Sequence, residues 1–235
     1  MAPRKRLWSD WIVLIDYWPL LGLRLTTPRL ELRLPRSDEL AALADLARDG
    51  VHDPSQMPFS SGWTDLPGTE RARSVVQHHW LRLGNWRPDD WSLNLAVFLG
   101  GRPVGIQAMA ARRFTPAREV NTASWLGLSH QSQGIGTEMR AAVLHLAFTG
   151  LGAEEATTGA FADNAPSLAV SRKLGYVPDG IERRVVRGEV VIMQRLRLPR
   201  DMWRPALAKD TEIIGLLPCL QLFGLATDDD TGPAA

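Results

Sequence analysis

The feature that most constrains this chain is the run Gln131-Ser132-Gln133-Gly134-Ile135-Gly136-Thr137. It follows a β-like stretch, Ser124-Trp125-Leu126-Gly127-Leu128, and opens a segment with helical apolar spacing. A strand, a glycine-punctuated turn and a helix start present several free backbone N–H groups in one direction. That is a ready anion site, and it suits a pyrophosphate. The two glycines remove Cβ atoms where a ligand would press closest. Gly-x-Gly pairs also occur in plain turns; the position between strand and helix is what favours binding here. A nucleotide-triphosphate loop is a poor reading, because no Lys-Ser/Thr follows the glycines.

At 235 residues the chain can hold one large domain or two small ones. With 45% hydrophobic and 23% charged residues the composition is that of an ordinary globular protein. A formal net charge of +1 gives no basic field for nucleic acid. The single cysteine, Cys219, rules out an internal disulfide framework and fits a reducing, cytoplasmic setting. The five histidines (His52, His78, His79, His130 and His145) show no metal-ligand spacing, so no metal is expected.

The first residues imitate a signal peptide: Arg4-Lys5-Arg6, then Leu7-Trp8 and Trp11-Ile12-Val13-Leu14-Ile15. Asp10 and Asp16 interrupt the apolar run, and no small-residue cleavage site follows. The run is also too short to span a bilayer. Residues 1–23 therefore read as an N-terminal extension whose apolar face packs on the domain, with no membrane role.

Residues 23–34 alternate as a strand. Ser37 is expected to cap a helix running to Asp49, with Asp38 and Glu39 in its first turn and Gly50 as its stop. Residues 51–68 read as a loop and Thr69–Leu83 as a second helix. Trp91–Leu99 and Pro103–Arg113 form a hairpin around Gly100-Gly101. Glu119–Leu128 is a further strand. After the glycines, Ile135, Met139, Ala142, Val143, Leu146 and Ala147 make one buried helical face. Glu155–Ala162 is a strand and Ser167–Leu174 a helix. Tyr176–Arg187 and Glu189–Leu198 close the pattern as a hairpin around Gly188. Residues 199–235, with Pro205, Pro218 and Asp228-Asp229-Asp230, read as an appended, partly disordered tail.

The glycine segment resembles the acyl-CoA motif Gln/Arg-x-x-Gly-x-Gly/Ala of the GNAT N-acyltransferases, with Gln131, Gly134 and Gly136 in register. Asn164-Ala165-Pro166-Ser167, then Ser171-Arg172-Lys173-Leu174-Gly175-Tyr176, resembles the family's later Asn-x-x-Ser…Lys-x-Gly-Phe/Tyr segment. Leu25 to Arg33 resembles the first strand of the branch that includes ribosomal-protein N-terminal acetyltransferases. Trp125-Leu126-Gly127 and Thr137-Glu138-Met139-Arg140 are similar to actinobacterial members described as succinyltransferase-like. The matches cover roughly residues 24–198. They imply the GNAT fold, an α/β (α+β) domain with a mixed, mostly antiparallel, twisted sheet flanked by helices. They imply an enzyme moving an acetyl or succinyl group from acetyl-CoA or succinyl-CoA to a primary amine, with a homo-oligomer expected. The competing reading is a non-catalytic acyl-CoA-binding module of the same fold.

By resemblance, Gln131, Gln133, Gly134, Ile135, Gly136 and Thr137 hold the CoA pyrophosphate through their backbone. Leu126 and Leu128, with Trp125 beside them, offer main-chain groups to its pantetheine arm on a splayed strand edge; simple core packing is the other reading for the Trp125 and Leu126 side chains. Unpaired N–H groups there can also stabilise an oxyanion. Asn164 matches an asparagine that bonds the pantetheine, with Ser167 beside it; capping the following helix is an equal reading. Ser171 falls where many relatives place a tyrosine that protonates the leaving thiolate, and plain helix surface is its other reading. Where some relatives carry an acidic base, this chain has Asn121. Glu119 lies two residues earlier on the same strand face and can substitute, although a solvated edge charge is its plainer role.

Acceptor and acyl specificity is expected from the two early helices and their joining loop, where Asp53, Met57 and Trp63 are candidates. Aromatic pinning of that loop to the core is the alternative. A succinyl carboxylate needs a cation or several donors. His78, His79, Arg82, Arg112 and Arg113 are the candidates, with His79 first, as an imidazole at the helix rim, and Arg113 second, beside the splayed edge.

Overall fold

The computed structural model describes residues 13–225. A short helix α1 (Leu14–Tyr17) and a 3-10 turn lead into β1 (Arg24–Thr26) and β2 (Leu30–Arg33). Helices α2 (Ser37–Asp49) and α3 (Gly68–Gly84) follow, then β3 (Asp90–Leu99), β4 (Arg102–Arg112), a short α4 (Phe114–Ala117) and β5 (Glu119–Leu126). Helix α5 (Ile135–His145) ends in a π-turn, Leu146–Gly150. The remaining strands and α-helix are β6 (Glu155–Phe161), α6 (Ala165–Leu174), β7 (Val177–Val186), β8 (Glu189–Pro199) and β9 (Glu212–Ile214), with 3-10 turns after β8 and a 3-10 helix at Leu217–Phe223.

The strands form one nine-stranded sheet in the order β7-β8-β6-β5-β4-β3-β2-β1-β9. Only β5 and β6 run parallel; every other neighbouring pair is antiparallel. Alternation along β3 shows how the sheet is sandwiched. Leu93, Leu95 and Val97 join a large core with Ile135, Met139 and Val143 of α5. Ala96 and Phe98 point the other way, to a smaller core with Leu40, Leu43 and Val75 of α2 and α3. All six residues expected on the buried face of α5 and its extension are buried. Arg33 ties β2 to α2 through Glu39, at 2.6 Å and 2.7 Å, and holds the Glu39 carboxyl down to about 2.

Three expectations need correction. Residues 23–34 are not one strand but a tight hairpin, with Thr26 opposite Glu31. Pro28 sits in its turn, and the Thr27 hydroxyl accepts from Leu30 N–H at 2.9 Å. Alternation survives in each half, which is why the two halves read as one. Secondly, Ser37 is the first residue of α2 rather than its cap; Glu39 instead accepts from the Arg36 N–H at 2.8 Å.

Thirdly, residues 199–225 are not an appended tail. Strand β9 pairs with β1, extending the sheet. Phe223 is fully buried against Trp91, ring centroids 4.9 Å apart, and the Trp86 indole donates to Leu222 O at 2.8 Å. Prolines and acids mask an apolar run (Leu216, Leu220, Leu222, Phe223) that belongs to the core. Residues 226–235, with the three aspartates, lie outside the described residues. So do residues 1–12 of the extension; beyond them, Val13, Leu14 and Ile15 are exposed, and Trp18, Leu20 and Leu23 make the packing. Among the described residues, no helix is long and apolar enough to cross a membrane, and no His/Cys/Asp/Glu group is placed to hold a metal.

Candidate active site

The one parallel pair is also where the sheet opens. Strands β5 and β6 pair only from Glu119–Asn121 to Glu155–Thr157. Beyond Asn121, β5 stays with β4 as far as Leu126, while β6 stays with β8 as far as Phe161. Side chains mark the split: Thr158 Oγ1 donates to Thr122 O at 2.8 Å, and Thr122 Oγ1 to Thr157 O at 3.3 Å. Past them the facing edges have no ladder between them. Gly105 helps to hold β5 over on β4, because any Cβ there would collide with the Trp125 carbonyl. The result is a wedge that an extended, amide-bearing chain can enter.

The glycine turn closes the wide end of this wedge. Gln131 is a staple: its side-chain amide donates to Val51 O at 2.8 Å and Leu126 O at 3.0 Å. Gln133 donates to Ser129 O at 2.7 Å. Ser132 and Gly134 have φ of 60° and 79°, and the turn delivers the chain into α5. The first amides of α5, at Ile135 and Gly136, have no partner within the helix and are available as anion donors. Thr137 closes a tighter bond to Gly134 O at 3.1 Å. A Cβ on Gly136 would have only Val170 and Leu126 nearby, at 3.7 and 3.9 Å.

A cation absent from the sequence-derived set borders this turn. Arg29 donates to Gln133 O at 3.1 Å and is paired with Glu138 at 2.6 Å, where Thr27 also bonds, at 2.6 Å. It sits there because residues 23–34 form a hairpin; a single strand would carry it past the turn. Pro28 is the signal that could have revealed this.

Of the pantetheine candidates, Leu126 ends β5 with its carbonyl taken by Gln131. Leu128 lies beyond the strand, in a 3-10 turn, and spends its N–H on Gly50 O. It therefore does not line the splayed edge. Trp125 is half-buried on the opposite sheet face, its ring 5.8 Å from that of Trp63. Asn164 caps α6, accepting from Ser167 N–H at 3.2 Å.

Ser171 is not a surface serine: it is fully buried. Its hydroxyl donates to Ser167 O at 3.1 Å and accepts from Arg140 Nη1 at 3.1 Å. Arg140, also missed by the sequence reading, is 4% exposed and ion-paired to no carboxylate among the described residues. A helical arginine reads as surface by type. Its place on the face of Met139 and Val143 was the one available clue.

On the opposite sheet face, the loop after α2 is laced to itself. His52 bonds Thr64 Oγ1 at 2.8 Å, Thr64 donates to Met57 Sδ at 3.6 Å, and Asp53 accepts from Ser55. A chain of tilted rings runs His52–Phe59–Trp63–Trp125 with centroids 5.7, 5.3 and 5.8 Å apart. At the loop's edge Arg187, from the β7–β8 tip, reaches Asp65 at 2.6 Å. Asp53, Met57 and Trp63 thus serve loop closure in the protein as it stands.

At the paired end of β5, Glu119 and Asn121 share Thr157 as a partner, at 3.4 and 3.2 Å. Both line a cavity of about 390 Å³ with Arg82, Asp90, Ser92 and Arg112. His79 and Arg113 do not join them. His79 is buried rather than at a rim, and burial, then His78, disfavours its charged form. Arg113 follows the β4 end that pairs with Asp90 and, unlike Arg112, does not line the cavity. Neither is placed as an anchor for an acyl carboxylate.

Solved structures share this architecture. Mycobacterium smegmatis RimJ in complex with CoA-disulfide superposes with a TM-score of 0.65 at 18% identity, over 82% of this chain and 97% of that one. RimL, a ribosomal L7/L12 α-N-protein acetyltransferase in complex with coenzyme A, gives 0.58 at 18% identity, over 74% and 95%. A GCN5-related N-acetyltransferase from Brucella melitensis gives 0.62 at 18% identity, over 79% and 82%. The acetyltransferase (GNAT) domain profile matches residues 29–177, a span that holds the hairpin arginine, the split strands, the glycine turn and both serines of α6. On that match the chain belongs to the GNAT acetyltransferase family and is an N-acyltransferase.

Proposed function

We propose that this enzyme moves an acetyl or succinyl group from coenzyme A to a primary amine, with a protein α-amine as the first acceptor to consider. The observation that carries the reading is the split of β5 from β6 directly before the glycine turn. The residues present fit an acyl-CoA: Gly136 places no side chain over the helix start, and the amides of Ile135 and Gly136 have no partner within the helix. Arg29 adds a cation at the rim of the turn. These groups would hold the pyrophosphate, and the β5 edge beyond Asn121 would hold the pantetheine. When bound, the thioester supplies the activated acyl carbon.

The amine would approach through the cavity at Glu119 and Asn121. Arg82 and Arg112 balance the two carboxylates of the lining, and Asp90 is paired with Arg87 and Arg112, which leaves Glu119 as the carboxylate to meet a cationic acceptor. To attack, the amine must be neutral. An α-amine, with pKa ~8, needs much less help than a lysine at ~10.4. Glu119 is the one carboxylate on β5 positioned to relay that proton. Asn121 can orient but not accept it. RimL is a ribosomal L7/L12 α-N-protein acetyltransferase, which agrees with this choice.

A succinyl donor would need Arg82 or Arg112, the cations that line the cavity, rather than His79 or Arg113. The test is CoA release from acetyl-CoA and succinyl-CoA against N-terminal peptides, lysine peptides and polyamines. Turnover with an α-amine and either thioester supports the proposal. Tight CoA binding without turnover on any acceptor would favour the non-catalytic module. Loss of a succinyl preference in Arg82→Ala or Arg112→Ala would locate the carboxylate.

A further inference from the structure

Arg140 joins one wall of the wedge, β5, to helix α6. Its Nη2 donates to Ser124 Oγ on the split half of β5 at 3.1 Å, and its Nη1 to Ser171 Oγ on α6 at 3.1 Å. Its Nε has no partner among the described residues, and no carboxylate or imidazole there pairs with the guanidinium. The titratable group facing it is Tyr176, whose hydroxyl bonds Thr122 at 3.2 Å. Burial pushes that phenol above its ordinary range, so it stays neutral. Burial also lowers the arginine, but a guanidinium remains charged at any pH an enzyme works in.

A buried cation without an anion is costly, and an anion formed close to it would offset that cost. The two hydroxyls are not equivalent. Ser171 already spends its proton on Ser167 O. Ser124 accepts from the cation, its own O–H has no acceptor among the described residues, and it is only half-buried. A hydroxyl that accepts from a cation is a stronger donor. We propose that Arg140 is a built-in counter-ion for the departing thiolate, acting through the hydroxyl of Ser124, with Ser171 locking the guanidinium in place.

The inference rests on the acyl-CoA reading of the wedge. The amine nitrogen bonds the acyl carbon, the C–S bond breaks, and its electron pair goes to sulfur. The ammonium proton passes to water, through Glu119 or directly. The sulfur leaves as an anion, held by Ser124 O–H over Arg140, and later takes a proton from solvent. No oxidant or reductant is involved. Arg140 is thus a positioning residue; Ser124 is the one that touches sulfur.

The test compares binding of CoA and desulfo-CoA by calorimetry from neutral to alkaline pH. The two ligands share every ionisation except the thiol, which as a simple alkyl thiol ionises above the ~8.5 of free cysteine. The wild type should gain affinity for CoA as pH rises through that range, by about tenfold relative to desulfo-CoA. Arg140→Met and Ser124→Ala should abolish the relative gain, Arg140→Lys should keep part of it, and Ser171→Ala most of it. Identical pH profiles for the two ligands in the wild type would overturn the inference and leave the wedge assignment standing. So would a full relative gain in Arg140→Met or in Ser124→Ala. Absence of binding by either ligand would overturn the wedge assignment together with the inference. Should Arg140→Met fail to fold, the wild-type comparison and Ser124→Ala still decide.

Discussion

From Ser124 to Gly136 the groups that face the wedge and turn are mostly main-chain: a strand edge without a ladder and helix amides without partners. From Val51 to Gly84, across the sheet, the facing groups are side chains from scattered positions, packed and laced to one another. The first region has its form before any ligand arrives, since backbone amides at a helix start cannot turn away. The second is held by rings, by side-chain hydrogen bonds of His52, Thr64 and Arg71, and by one exposed ion pair, so it can rearrange at modest cost. Family membership follows the first region. Choice of acceptor should follow the second.

The largest expected effect comes from breaking the first region at its support. Gly105→Val places a side chain into the Trp125 carbonyl and close to Leu126 Cα, both backbone atoms that cannot step aside. The variant should lose on the order of 3 kcal/mol or more of stability, or fail to fold. Thermal melting checks it. A melting temperature equal to that of the wild type would mean that β5 is not held against β4 by this contact.

Next in size is Gly136→Val. Here the Cβ meets no protein atom closer than 3.7 Å, so the fold should survive while the anion site fills. A fall in CoA affinity of about 100-fold, with unchanged acceptor specificity, is expected. Gly134→Val is a poorer probe. Its φ of 79° strains any side chain, so lost binding would mix with lost stability.

These two regions also differ in how far a reader of the sequence can see them. Gly134, Gly136 and Asn164 are legible because a left-handed turn, an open helix start and a cap each admit few residue types. The strands from Asp90 to Leu126 are legible because apolar runs and a Gly-Gly turn leave little choice. Arg140 is illegible because nothing local distinguishes a buried arginine from a solvated one; only the spacing with Met139 and Val143 hints at it. The chain of rings from His52 to Trp125 is illegible for another reason. Trp125 is 62 positions beyond Trp63, and only the completed sheet brings them together. Residues 205–225 mislead through their prolines, although Leu220, Leu222 and Phe223 carry the opposite message.

A smaller effect should mark the acceptor side. Trp63→Ala removes the ring between Phe59 and Trp125 and loosens the loop. KM for the amine should rise by about tenfold, at ~1.4 kcal/mol, while CoA affinity by calorimetry stays within twofold. Equal losses on both ligands would show that the two regions are not separable, and the contrast drawn above would fail.

The smallest effect concerns the ion pair that bridges the loop to the β7–β8 tip. Arg187 bonds Asp65 at 2.6 Å and also reaches Pro54 O at 3.3 Å, and both side chains are well exposed. Exposed pairs contribute little to stability and weaken with salt. Asp65→Asn should therefore leave the melting temperature close to that of the wild type. What it should change is the acceptor side alone, through easier opening of the loop. Arg187 holds the Asp65 carboxyl below its ordinary range, with the hydrogen bond as the main cause. The sign follows: the pair is complete above the free carboxyl's pKa of 3.8 and is lost as pH falls through the lowered value. At neutral pH the clasp is thus intact, and raising salt should mimic the substitution. The check is KM for the amine at low and high salt in wild type and Asp65→Asn. A salt response that persists unchanged in the variant would place it elsewhere, at Arg82, Asp90, Arg112 or Glu119, and would make the cavity rather than the clasp the charged gate for the amine.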